Sequence, residues 1–194
     1  MKKNKVYHLV LLITFLIFSF LTILSGITVQ GHVTQGNIPS NVSIMKSLAI
    51  SFSSSLANGI YFGKVNFLPA NNVSAVENYN GSFNSTNYYV LVSSDGNVPV
   101  DLCLKANSGM ISSNGDIIGV KNESYSTKVG SSNLTVPSLT NETSFTLNYT
   151  KSGGTIPTGN YSFLRFWLDI PAAQAAGEYN NSIFFKGVEA GYSC

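Results

Sequence analysis

From residue 47 onward the chain is written in short runs with a period of two, punctuated by Asn58-Gly59, Asp95-Gly96 and Asn114-Gly115. Alternation puts successive side chains on opposite faces of a strand. Asn-Gly and Asp-Gly supply the positive φ that tight hairpins need. In SLAISFSSSL, Leu48, Ile50, Phe52 and Leu56 face one way and Ala49, Ser51, Ser53 and Ser55 the other. Asn58-Gly59 then predicts a hairpin into IYFGKVNF, with Tyr61, Val65 and Phe67 on one face, before a polar loop, ANNVSAVENYNGSFNST. NYYVLVSS turns at Asp95-Gly96 into VPVDLCLKA, where Val98, Val100, Leu102 and Leu104 point inward and Asp101, Cys103 and Lys105 outward. Asn114-Gly115 marks a further turn, beside Ile117, Ile118 and Val120. TSFTLNYT places Phe145, Leu147 and Tyr149 inward and Asn148 outward. YSFLRFWLDI is the most apolar run and reads as a central strand; NNSIFFKGVEA follows as the last. No helix is expected after the leader. About eight short strands with regular turns predict an all-β fold, an Ig-like antiparallel β-sandwich.

The first 25 residues obey a different rule. MKKNK carries three lysines and VYHLVLLITFLIFSFLTIL is apolar. A basic start followed by an apolar run reads as a secretory signal peptide. Cleavage sites follow Ser25 and Gly31, and an uncleaved anchor is the other reading, since Val6–Leu24 approaches the ~20 residues of a spanning helix. On each reading most of the chain is exported.

Roughly 165 residues remain, one domain with a full core. Without Lys2, Lys3 and Lys5, the eleven basic residues fall to eight, against nine acidic ones. Near-neutrality with no charge run argues against nucleic acid as a partner. Only 10% of residues are charged, where ~25% is usual. Two readings are open: an acidic habitat, in which carboxylates cannot serve as solubilising charges, and solubilisation by sugars. The second has ten Asn-x-Ser/Thr sequons behind it, at Asn41, Asn72, Asn80, Asn84, Asn122, Asn133, Asn141, Asn148, Asn160 and Asn180. Most fall in expected turns, as N-glycosylation requires. The two cysteines, Cys103 and Cys194, suggest one disulfide in an exported chain, the other reading being two free thiols.

Catalytic chemistry finds little to work with. After the leader the only histidine is His32, whereas a Ser-His-Asp or Cys-His site needs a placed imidazole and zinc or copper sites need several His or Cys ligands. Asp95 and Asp116 sit in turns, which Asp favours for its own reasons. Asp101 and Asp169 fall on strands. Trp167 and the tyrosines and phenylalanines read as core and sheet-face residues rather than a sugar platform. No enzyme, cofactor or metal is expected.

One run has no place in this scheme. GITVQGHVTQ, residues 26–35, alternates Ile27, Val29 and Val33 against Thr28, Gln30, His32 and Thr34, with Gly31 in the apolar row. No turn joins it to a neighbour, and the linker-like GNIPSNVSIMK follows. A free strand of this kind can complete the sheet of another molecule, and head-to-tail repetition of that contact gives a filament. The other readings are a leader without structure and an edge strand of its own sheet.

The order of leader, GITVQGHVTQ, SLAISFSSSLANGIYFGKV and FWLDIPAAQAAGEYNNSIFFKGVEAGYSC resembles that of archaeal surface-filament subunits that polymerise by donor-strand complementation, the Sulfolobus-type threads and bundling pili, distantly similar to camelysin-type fibre proteins. The resemblance is one of order and character, without a residue-exact motif. It implies a glycosylated, non-enzymatic subunit of an extracellular filament serving adhesion and biofilm, whose partners are identical subunits, its own N-linked glycans, and other cells or surfaces. The expected division is 1–25 signal peptide, 26–46 donor strand and linker, and 47–194 sandwich. The alternatives are a monomeric or membrane-anchored surface domain (an S-layer accessory or binding module) and a type IV pilin, for which KKNK-VYHL lacks the small residue that pilin processing requires.

Overall fold

The computed structural model describes residues 8, 10–17, 19, 41–81, 86–132 and 135–194. The chain divides into two units, Met1–Ser43 and Ile44–Cys194. In the first, residues 10–17 are helical, and Thr14 Oγ1 donates to the Val10 and Leu11 carbonyls. No helix among the described residues is long and apolar enough to cross a membrane. The strand expected at 26–35 lies outside the described residues.

The second unit is built of antiparallel strands: β1 (Ile50–Phe52), β2 (Ala70–Ser74), β3 (Tyr89–Val92), β4 (Val100–Ala106), β5 (Met110–Ser112), β6 (Ile117–Ile118), β7 (Glu123–Gly130), β8 (Thr143–Ser144), β9 (Thr150–Lys151), β10 (Tyr161–Ile170), β11 (Tyr179–Asn180) and β12 (Ile183–Glu189). One sheet runs β1-β3-β10-β7-β8, with β2 also on β10; a second runs β12-β4-β9 and a third, small one β11-β5-β6. Val90, Val92, Tyr125, Leu164 and Phe166 from the first sheet share one core with Val100, Leu102, Leu104 and Ala106 from the second. Apolar rows from two sheets meeting in this way make a sandwich, so the all-β expectation holds.

The run YSFLRFWLDI is the central strand it was expected to be. Its even-numbered residues Leu164 and Phe166 enter the core. There Phe166 meets Tyr88 edge-on at 5.2 Å and stacks on Phe145 at 6.3 Å between ring centroids. One edge of β10 is covered by β7 from Tyr161 to Leu168. The other is shared: β3 takes Tyr161–Phe163 and β2 takes Trp167–Ile170. Between them the buried Asn78 amide fills the gap, its Oδ1 accepting from Phe166 N at 3.0 Å and its Nδ2 donating to Phe166 O at 2.6 Å. A side chain thus does the work of a strand residue. Asn78→Ala would orphan the Phe166 N–H in a dry core, while the Phe166 carbonyl keeps its bond from Ala75 N at 3.1 Å; a buried unsatisfied group costs about 1–3 kcal/mol. A loss of roughly 1–3 kcal/mol in urea unfolding is expected for Asn78→Ala. Asn78→Leu, which keeps the volume, should cost a similar amount; a near-neutral Leu variant would show that packing, not bonding, is what Asn78 supplies.

Several sequence expectations are corrected. SLAISFSSSL is not one strand: β1 ends at Phe52, which is exposed, and a helix, α1 (Ser54–Asn58), follows. Ser53 ends the strand by capping the helix, its hydroxyl accepting from Leu56 N at 3.2 Å, as N-cap serines do. Asn58-Gly59 therefore makes no hairpin; Gly59, at φ 118°, terminates α1. IYFGKVNF forms no strand, Tyr61 and Phe67 are exposed, and Ile60 and Phe62 pack on the core instead. The supposed polar loop contains β2, whose Asn72 takes φ 54° with its N–H bonded to Asp169 Oδ1 at 2.7 Å. Asp95-Gly96 is a turn, but it carries the chain from β3 in one sheet to β4 in the other.

TSFTLNYT is also two strands rather than one. After β8, Phe145 N bonds to Glu123 O at 2.9 Å, and Thr146 O then accepts from Ala106 N at 3.0 Å. The segment thereby changes sheets, a common way to turn the corner of a sandwich. Phe145 is buried at the crossing as expected. Leu147, expected inside, is exposed at the bend, as is Asn148, and Tyr149 is half-buried. Asn114-Gly115 does make its hairpin, with Gly115 at φ 87° between β5 and β6.

Candidate assembly edge and its surroundings

The first and second sheets end side by side. β1 pairs only with β3 and β12 only with β4 among the described residues. The two end strands touch through side chains. Phe52 and Phe185 meet edge-on with centroids 5.3 Å apart, and Lys46 Nζ lies 2.6 Å from Glu189 Oε1. A methyl group on Gly187 would meet Ile50 Cγ2 at 3.2 Å. Alternation sets the chemistry of β12: Ile183 and Phe185 pack toward the core, while Phe184 and Lys186 lie on the opposite face. With seven residues, β12 is the longest strand having one neighbour among those described. Such an edge is a template for another chain unless it is covered or blunted. Phe52, 46% exposed, leaves apolar surface beside it.

The tail beyond β12 is fastened to β4. Cys103 and Cys194 form a disulfide, Cα–Cα 5.8 Å, across a sequence separation of 91, as the paired-cysteine reading expects. Cys103 faces away from the Leu102 and Leu104 row but is fully buried, because the tail lies against it. Ala190 N bonds to Pro99 O at 3.0 Å, and Gly191 N to Asp101 Oδ2 at 3.2 Å. Asp101, read as outward, is buried too. Burial opposes its ionisation, yet bonds from Lys151 at 2.8 Å, Thr155 at 2.6 Å and Gly191 outweigh it and hold the carboxyl below its usual range.

Glu123 is the opposite case. It is 2% exposed at the start of β7, and burial raises its carboxyl to about 7 against one bond from Asn181 Nδ2 at 2.8 Å. The same Asn181 nitrogen reaches Ser108 O at 3.3 Å, so the pair links β7 to the β4–β5 loop and the β11–β12 link. A folded-state value above the unfolded 4.5 means that the folded chain holds the proton more tightly. Stability from this group is fully present below pH 4.5 and is lost as pH rises through 7. A shift of this size corresponds to roughly 3 kcal/mol. Melting temperature followed from pH 4 to 9 should therefore fall more steeply in the native chain than in Glu123→Gln; parallel curves would exclude this role. Nothing in the pattern NESYST announced a buried acid, because its alternation is that of a solvated strand start.

Of the ten sequons, Asn41, Asn72, Asn80, Asn141, Asn148 and Asn180 are exposed and Asn122 and Asn160 are half-buried; Asn84 and Asn133 lie outside the described residues. Ile27, Val29, Gly31 and Val33, expected to form the donor strand, also lie outside them. No group of three or more His, Cys, Asp or Glu side chains placed to hold a metal ion occurs among the described residues. Comparison with family models, with curated proteins and with solved structures finds no match to this chain.

Proposed function

We propose that the chain is the non-enzymatic structural subunit of an extracellular adhesive filament, each copy receiving the 26–35 strand of the next along its β1/β12 side. The observation that carries this reading is the seven-residue strand β12, which has one hydrogen-bonded neighbour among the described residues and lies beside the partly exposed Phe52, in a chain that also carries an unassigned alternating run. Main-chain bonding to β12 supplies affinity, and alternate apolar side chains entering beside Phe52 and Phe185 supply register. The contact joins two different surfaces and does not close on itself, so it propagates. The leader directs export, and N-linked glycans occupy the exposed sequons.

The test is electron microscopy of cell-surface filaments together with mass spectrometry of the subunit within them. A mature N-terminus near Gly26 keeps the donor strand whole and is the expected result. A start at His32 removes Ile27, Val29 and Gly31 and overturns the reading, as does the absence of any filament containing this chain.

A further inference from the structure

The outer faces of the two large sheets differ. On the first, Phe163 and Trp167 are each only 3% exposed. Arg165 beside them donates to Pro137 O and Tyr79 O, so flanking loops lie over that face. On the second, the register sets Phe184 opposite Lys105 and Lys186 opposite Cys103, all on the side away from the core. The Lys105 ammonium lies 4.8 Å from the Tyr149 ring centroid and 5.5 Å from that of Phe184; the Lys186 ammonium lies 5.6 Å from Tyr149. Phe184 is 44% exposed.

The charge on this face is not balanced by side chains. Its acid, Asp101, is buried and bound to Lys151. The ion pairs among the described residues are Lys151–Asp101 and Lys46–Glu189, so neither Lys105 nor Lys186 faces a carboxylate side chain. Lys186 Nζ donates to Cys194 O at 2.9 Å. Two ammonium groups gathered on one aromatic ring, in a chain where only 10% of residues are charged, place positive charge beside the half-buried Tyr149 and the exposed Phe184.

We propose that this face of the β12-β4-β9 sheet binds acidic polysaccharide, Tyr149 and Phe184 receiving the apolar face of a sugar ring while Lys105 and Lys186 pair with its carboxylates. The aromatic shelf accounts for a sugar rather than a bare anion, since ring C–H groups stack on aromatic faces as other apolar groups do. The two ammonium groups account for the acidic substituents, and each is held where ring and anion are met together. The proposal stands whether or not the chain polymerises.

The full secreted chain carrying Asn148→Gln, which keeps the chain's own glycan off the neighbouring residue, is run in affinity electrophoresis through gels containing polygalacturonate, neutral dextran or polyglutamate. Retardation by polygalacturonate at low salt is expected, with little by dextran and less by polyglutamate. Lys105→Gln with Lys186→Gln should weaken binding roughly tenfold or more, the effect of losing two charge contacts near the surface. Lys64→Gln with Lys128→Gln, exposed lysines elsewhere in the chain, should leave it unchanged. Tyr149→Ala should weaken binding at unchanged net charge; if that variant fails to fold, the two lysine pairs still decide. Absence of retardation, equal retardation by polyglutamate, or equal loss in both lysine pairs overturns the proposal.

Discussion

Val29→Asp is expected to abolish filaments while leaving the secreted domain folded. Val29 lies in the alternating apolar row of residues 26–35, outside Ile44–Cys194, the unit that holds the sandwich. The core residues Leu164, Phe166, Leu102 and their neighbours all belong to that unit. In the proposed contact the substitution replaces a buried aliphatic, worth about 1.5–3 kcal/mol, with a carboxylate that has no partner in a dry groove, costing several kcal/mol more. Thr28→Asp, on the opposite face of the same strand, should be mild. Two measurements separate assembly from folding: filament counts by electron microscopy, and the far-ultraviolet circular dichroism of the secreted chain. Normal filaments on Val29→Asp cells would remove strand donation from consideration, because a one-residue change of face is the whole basis of register in a strand.

Removing the disulfide is expected to have the largest effect on stability of any change outside the core. Cys103→Ser with Cys194→Ser frees a loop closed over a separation of 91 residues. The chain-entropy description assigns about 4–5 kcal/mol to a loop of that length. For a domain of this size that corresponds to a fall in melting temperature of about 10–15 °C. Unfolding in urea with and without reductant measures it directly. The tail should loosen as well, exposing Cys103's neighbours and the Asp101–Gly191 bond. A variant that melts within a degree or two of the native chain would show that the hydrogen bonds of Ala190 and Gly191 hold the tail without the sulfur bridge.

Short-range signals were legible in the sequence where local chemistry alone decides the outcome. Asn114-Gly115 is a hairpin because its flanking runs, Met110–Ser112 and Ile117–Ile118, have each other as the nearest partner. β10 announced itself because a strand flanked on both edges and covered on both faces must be apolar nearly throughout. The same dipeptide misled at Asn58-Gly59. There Ser53 competes as a helix cap, and an alternating pattern that runs on through Leu56 cannot show where the strand stops. β2 was hidden because an edge strand in ANNVS needs few apolar residues to pair with β10. Leu147 was misplaced because a strand that changes sheets breaks its own alternation at the crossing. Of the candidate site, the cysteine pairing and the exposure of Asn148 could be read from the chain. The single pairing of β12 among the described residues could not, since an edge is defined by the strands around it, and Asn78 and Glu123 are polar residues whose burial only the assembled sheets create.

The position of the disulfide has a mechanical consequence. Load passed along the proposed filament would enter each subunit at the edge of β12. A strand held at an edge is weakest when it is peeled from one end, bond by bond, and strongest when all its bonds are sheared together. Cys194 closes the tail of β12 onto Cys103, in the middle of β4 and opposite Lys186. Peeling from the C-terminal end is therefore blocked by a covalent bond, and a pull on β12 is handed to the inner strand of its sheet. On the β12 side of such a filament, the strand that receives its neighbour would then outlast the junction between subunits.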